Sequence, residues 1–376
     1  MRPSFAAALC AILAVSAAAK PRARELGVPF DGVPGPLNAI TDVPGVEVGL
    51  VTLVRGEPGK VVVGQGPVRT GVTAILPRGK AGTAPVFGAY FSQNGNGELT
   101  GSHWLEESGL LGGPVLITNT LSVGVARDAA NAWQMRRDHD GADQLAVVGE
   151  TWDGWLNDME GRHVKEEHVL AALDGAKPGP VAEGNVGGGT GMICFEFKCG
   201  TGTASRVLPK EAGGHWLAAL VQANVGRRGQ LRIAGVPVGR EVPEEPAYEH
   251  EKGSIIVVLA TDAPLLPHQL KRVARRATLA LGRLGSISGD GSGDIFLAFS
   301  TAGLGEWKTS SDAEVTMLAQ DKMDAVFEAA VEAVEEAVVN ALAAAETMTG
   351  AENRRVIALP HDRLLKALRK YNAVRG

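Results

Sequence analysis

The stretch Lys252-Gly253-Ser254-Ile255-Ile256-Val257-Val258-Leu259-Ala260-Thr261 decides how the rest of the chain is read. After Ser254 the residues are apolar up to Thr261 and several are β-branched, which predicts a strand buried on both faces. Before it, Arg240 to Glu251 is charged, contains Pro243 and Pro246 and has no apolar period, which predicts an exposed loop. Ser254 stands at the junction, directly behind a glycine. Gly253 has no Cβ, can hold strained backbone angles and leaves its carbonyl open to attack.

A serine so placed can attack the peptide bond before it. An N→O acyl shift and hydrolysis would split the chain and leave Ser254 as a new N-terminus. Its α-amine would have a reference pKa near ~8, suited to act as general base for its own hydroxyl. On residue chemistry alone, a Gly-Ser turn before a core strand is the plainer account.

Composition sets the bounds. The 376 residues can bury a large core, and 45% apolar with 21% charged residues is ordinary for a globular protein. A net charge of −5 without a basic run points away from nucleic acid and anionic membranes. The 49 glycines are dispersed, which suits a sheet-rich fold with tight turns and excludes collagen.

The N-terminus has the form of an export signal. Arg2 is followed by an apolar run, Phe5 to Val15, too short for a resident membrane helix, and then by Ala17-Ala18-Ala19. Residues 1–19 are therefore expected to be removed on export to the periplasm or medium, without stable membrane insertion. Cys194 and Cys199 remain; on one strand their offset would put them on opposite faces, so two free buried thiols are expected.

Along the chain, residues 20–36 are basic, then Pro/Gly-rich, and predict an exposed arm. Short β-branched runs from Val46 to Pro77, including Val61-Val62-Val63, predict hairpins. Strands are predicted at Val86–Phe91, Val115–Thr118, Gln144–Gly149, Gly191–Phe197, Trp216–Asn224 and Ile295–Phe299. Helices are predicted from Ser122 to Arg136, Val164 to Leu173, Pro267 to about Gly282, Asp312 to Thr347, and 361 to 371. Strands interleaved with helices predict a layered α/β structure, and no linker divides it into two units.

Three further groups carry candidate chemistry. Ser292 and Asp294 share one face of an extended segment, so both can point at one pocket and relay a proton. A flexible glycine-rich turn is the simpler alternative; an EF-hand fails because Ile295 stands where that loop needs glycine. Asn224 ends an apolar run and offers an amide to an oxyanion, or else merely caps a turn. Glu150 ends a strand and can pair with a substrate ammonium, or else is a surface carboxylate. Gly187-Gly188-Gly189-Thr190-Gly191 matches neither a P-loop nor G-x-G-x-x-G, and its expected role is close backbone packing. The eight histidines form no zinc pattern, and no G-x-S-x-G elbow is present.

Seven segments in order resemble the DmpA family of self-processing aminopeptidases, which includes L-aminopeptidase/D-esterases and β-aminopeptidases. They are Asn38 to Val46, Phe91 to Ser102, Glu150-Thr151-Trp152-Asp153-Gly154, Gly187 to Met192, Val221 to Asn224, Gly253-Ser254 and Gly291 to Phe296. Each is short; their order over about residues 36–300 is specific. The resemblance implies a four-layer αββα sandwich of the DmpA/ornithine-acetyltransferase type, similar to N-terminal-nucleophile hydrolases. It implies one catalytic domain over 20–376, cut into an α-chain of about 20–253 and a β-chain of 254–376, assembling as a tetramer of such heterodimers.

The resemblance also implies that Ser254 is the nucleophile, that Ser292 and Asp294 act with it, that Asn224 lines the oxyanion site and that Glu150 contacts the substrate amino group. No metal or organic cofactor is implied, and the partner is a small peptide, amide or ester. Where some members carry a tyrosine that helps at the oxyanion, this chain has Trp152, which implies altered substrate fit. Two rival readings are an acyltransferase of ornithine-acetyltransferase type, disfavoured by the serine and the export signal, and an unprocessed, non-catalytic periplasmic protein.

Overall fold

The computed structural model describes residues 21–137, 145–248, 253–302, 304 and 312–374. The expected export signal, residues 1–19, and the leader positions 249–252 lie outside the described residues. One sheet has four strands in the spatial order β1 (Glu47–Arg55), β2 (Val68–Leu76), β5 (Val115–Asn119) and β6 (Val147–Thr151). A second has six, in the order β4 (Leu110–Leu111), β3 (Val86–Gly95), β12 (Gly293–Ser300), β11 (Ser254–Thr261), β10 (Trp216–Asn224) and β9 (Thr201–Val207). A hairpin, β7 (Ile193–Cys194) and β8 (Phe197–Lys198), lies apart from both.

The apolar run after Ser254 is explained by the layers on each side of β11. Ile256, Val258 and Ala260 face the first sheet, where they meet Ile75, Ile117 and Val147. Ile255, Val257 and Leu259 face the other way, into a core shared with α5 (Pro267–Arg283) and α6 (Met323–Ala344). The first sheet's outer face, with Val72, Leu116 and Val148, is covered by α2 (Val123–Arg137) and α3 (Glu166–Asp174). The layers therefore run α, β, β, α, as the resemblance implied. Each fully buried aliphatic side chain of β11 contributes roughly 1.5–3 kcal/mol, and a charge at Val257 or Val258 would be stranded between layers. Among the described residues there are three further α-helices: α1 (Ser102–Ser108) packs on β3, while α4 (Val238–Glu241) and α7 (His361–Lys370) pack on each other. Among the described residues, no helix is long and apolar enough to cross a membrane.

Several local expectations are corrected. The arm at 20–36 is docked, not exposed, over its described part: Arg22 pairs with Glu183 at 2.7 Å, Arg24 pairs with Glu336 at 2.8 Å, and Ala23 and Val28 are buried. Its basic residues answer carboxylates that lie far away in sequence. The predicted strand 191–197 is instead a 3-10 turn (Gly187–Gly191) followed by the β7–β8 hairpin. Phe195 and Glu196 turn that hairpin with φ of +48° and +62°, so the chain doubles back between the cysteines. Cys194 and Cys199 consequently face each other, Cα atoms 5.3 Å apart, and form a disulfide where free thiols were expected. The helix expected from Asp312 begins only at Met323, because Val315 and Met317 are exposed and pack no face. Val61–Val63 forms no strand.

Candidate active site

Ser254 is the first residue of β11, and the register brings two chain segments to its side. Asn224, the last residue of β10, lies directly opposite it in the antiparallel ladder, and Gly293 lies beside it in the parallel ladder with β12. By strand alternation, Ser254 shares its side with Ile256 and faces the gap between the sheets. There its Oγ accepts a hydrogen bond from the backbone N–H of Trp152 at 3.2 Å. Ser254 is itself buried.

Asn224 is held at both ends of its amide. Nδ2 donates to the Trp152 carbonyl at 3.0 Å, and Oδ1 accepts from the Ile193 N–H at 2.9 Å. The β7–β8 hairpin thus orients the amide expected at the oxyanion.

Ser292 Oγ donates to Asp294 Oδ1 at 2.6 Å, so the two form one unit as their spacing implied. Among the described residues, no hydrogen bond joins the unit to the Ser254 hydroxyl, whose bond is to Trp152. Asp294 alternates with Ile295, which faces the first sheet, and so turns towards the helical side with Phe296. In the parallel ladder Gly293, between the two, lies beside Ser254, and Asp294 lies beside Ile255. Burial holds the Asp294 carboxyl above its ordinary range, opposed by Ser292 and Ser288. Only Ser292 makes a well-formed bond, and Asp294 Oδ2 is buried without a partner.

Glu150 is buried near the end of β6. Its Oε2 accepts from Thr120 Oγ1 at 2.5 Å and its Oε1 from the Glu98 N–H at 3.2 Å. Burial raises its pKa; those two bonds pull it back, and the Glu98 charge pushes the same way as burial. Glu150, Trp152, Gly253 and Ser254 line one cleft of about 730 Å³, together with Thr120 and the loop from Gly95 to Glu98. The Trp152 indole lies against Gly154, where a Cβ would come within 2.7 Å of the ring. A larger cavity of about 890 Å³, beside Trp155 and Tyr248, contains none of the sequence-predicted site residues.

The residues that support the site carry no recognisable signal in the sequence. Thr120 has no motif to mark it. Asn94 and Asn96, assigned no chemistry from sequence, pin the turn before Ser292: Asn94 Nδ2 donates to the Gly289 carbonyl at 2.5 Å and Asn96 Nδ2 to that of Gly291 at 2.8 Å. The glycine run packs closely, as expected. A Cβ on Gly188 would meet Gln222 Oε1 at 2.0 Å, and Gln222 in turn donates to Thr151 Oγ1 at 2.7 Å beneath the cleft.

Comparison with known proteins agrees with this geometry. The sequence pattern of peptidase family S58 matches residues 38–356. The chain is 52% identical over 377 residues to a β-peptidyl aminopeptidase BapA of Sphingosinicella microcystinivorans, covering 96% of this chain and 95% of the relative. The solved L-aminopeptidase D-Ala-esterase/amidase of Ochrobactrum anthropi superposes with a TM-score of 0.87 at 48% identity, covering 95% of this chain and all of that one. That protein is described as a prototype of the serine aminopeptidases and a new variant of the Ntn-hydrolase fold. A Burkholderia β-aminopeptidase gives a TM-score of 0.83 at 48% identity, over 93% and 99% of the two chains. These relatives are named as aminopeptidases, and the family pattern covers most of the sequence: the chain is an aminopeptidase of peptidase family S58.

Proposed function

We propose that the chain cuts itself between Gly253 and Ser254 and then uses Ser254 to remove the N-terminal residue from short peptides, amides or esters. In the first reaction Ser254 Oγ adds to the Gly253 carbonyl, the C–N bond breaks, and the chain continues as an ester. Water then releases the Gly253 carboxylate and the Ser254 α-amine. In the second, Ser254 Oγ adds to the substrate carbonyl while the α-amine takes its proton. That proton passes to the departing amine, and water hydrolyses the acyl-enzyme.

Each neighbour has a role in this scheme. Asn224 and backbone N–H groups stabilise the oxyanion. The Ser292–Asp294 pair lies alongside the Ser254 backbone, where the new amine forms, and the unpaired Asp294 Oδ2 offers that amine an acceptor. Glu150 holds the free amino end of the substrate by charge, which favours exopeptidase action, and Trp152 walls the cleft. The names of the relatives support β-aminoacyl and small L-aminoacyl substrates. The α-chain of about 20–253 and the β-chain of 254–376 stay together as one catalytic unit that assembles into a homo-oligomer, a tetramer of heterodimers, after export.

The observation that carries this reading is the place of Ser254. It heads a buried central strand, opens to the cleft that Glu150 lines, and has its hydroxyl held by the Trp152 N–H. Intact-mass analysis and N-terminal sequencing of wild type and Ser254→Ala test it, with β-alanyl and L-alanyl amides as substrates. Two chains, one beginning at Ser254, are expected in active wild type and a single inactive chain in the variant; an active, uncut wild type would overturn the scheme.

A further inference from the structure

Self-cleavage needs more than a nucleophile. The loop ahead of the cut must present Gly253 to Ser254 in one pose, and a free loop would sample many. We propose that Arg228 is a positioning residue for chain scission, fastening the segment Val242–Glu245 in place ahead of the Gly253–Ser254 bond.

Arg228 opens the 3-10 turn Arg228–Gln230 just after β10, and it is only 5% exposed. Each of its N–H groups finds a backbone carbonyl. Nε donates to Phe195 at 3.1 Å. One terminal nitrogen donates to Val242 at 3.0 Å and Glu244 at 2.7 Å, and the other to Glu196 at 2.6 Å and Glu245 at 3.3 Å. A guanidinium has five donors in a rigid planar fork, so its inventory is used in full. Phe197 lies against it, with the guanidinium carbon 3.5 Å from the ring centroid.

The five carbonyls fall into two groups. Two belong to the β7–β8 turn, which the disulfide closes, and three belong to the leader of the cut. Arg228 therefore ties the leader to a covalently fixed hairpin. The leader is held from the other side as well: Glu244 pairs with Arg363 at 3.0 Å, Glu245 pairs with Arg355, and Tyr248 meets Trp155 edge-on with centroids 5.4 Å apart. The residues from 249 to 253 that lead on to the cut can span at most about 17 Å, so the scissile carbonyl is on a short tether. Lysine, with three donors and no planar fork, cannot replace this pattern.

The inference rests on the proposed cut at Ser254. In the full-length chain, wild type, Arg228→Lys and Arg228→Met are followed by intact mass from synthesis onward. The matured fraction of each is then assayed for aminopeptidase kcat/KM. Scission in Arg228→Met is expected to slow at least tenfold, and in Arg228→Lys by less, while kcat/KM of matured enzyme falls by a smaller factor than scission does. Scission at the wild-type rate in Arg228→Met, or equal losses in scission and hydrolysis, would overturn the proposal. Should Arg228→Met fail to fold, Arg228→Lys decides, and wild-type scission in it is the overturning result. A wild type that never splits would instead end the reading beneath it.

Discussion

Trp152 and Ser254 are joined by a backbone-to-hydroxyl bond of 3.2 Å, and Trp152 is gripped from its other side by Asn224. The end of β6, the end of β10 and the start of β11 thus close on one another at a single point. Trp152 therefore contributes its peptide as well as its ring to the cleft.

Asn224→Ala is expected to lower kcat by about 10²–10³, the usual cost of a lost oxyanion donor, with a smaller change in KM. Asn224→Asp keeps the acceptor for the Ile193 N–H but replaces the donor amide with a carboxylate, so it should lose as much. Steady-state kinetics on the matured fraction of each variant checks this.

Glu150 must be ionised to hold an ammonium, and burial has moved its titration upward. The acid limb of kcat/KM should therefore lie above the ordinary glutamate range. Glu150→Gln should remove that limb and raise KM roughly 10- to 100-fold, as loss of one charge-assisted bond implies. A pH–rate profile unchanged in the variant would exclude the role.

Asp153, next to Trp152, is fully buried, and burial pushes its carboxyl up to about 7 against the pull of nearby Thr70, Asn157 and Asn119, of which Asn157 donates to Oδ1 at 3.1 Å. The folded state therefore binds this proton more tightly than the unfolded chain. Stability is complete below the unfolded value of 3.8 and declines as pH rises to about 7, where the loss levels off. The loss is on the order of 4 kcal/mol. Asp153→Asn should flatten that decline, read as urea midpoints between pH 4 and pH 8.

Replacing Cys194 and Cys199 by serine together should cost about 2 kcal/mol for a loop this short. Because Ile193 in the same hairpin holds Asn224, kcat should fall more than KM rises. Denaturant midpoints and kinetics with and without reductant would show both effects in wild type and neither in the double variant.

The sandwich was legible where one residue's surroundings repeat down a strand. Ile255 to Ala260 are apolar at every position because both faces of β11 are covered, and that pattern needs no distant information. Asn224, Ser292 and Asp294 were legible as strand-end polar residues. Which way the last two face was not, since that depends on how β12 lies against β11. The disulfide was hidden by its turn: Phe195 and Glu196 hold left-handed backbone angles that glycine or asparagine would have advertised. The docking of Arg22 and Arg24 was hidden by distance, because their partners Glu183 and Glu336 arrive from other layers. Thr120 is a lone hydroxyl whose importance appears only once Glu150 is beside it.

The position of β11 has a consequence for the life of the enzyme after the proposed cut. β11 sits between β10, from the first piece, and β12, from the second, so the break falls inside a continuous ladder and the fragments share one core. The uncut chain folds as a first-order event. Once severed and denatured, the halves must find each other in solution, so recovery becomes second-order and fails on dilution. Maturation trades a renewable fold for a reactive amine.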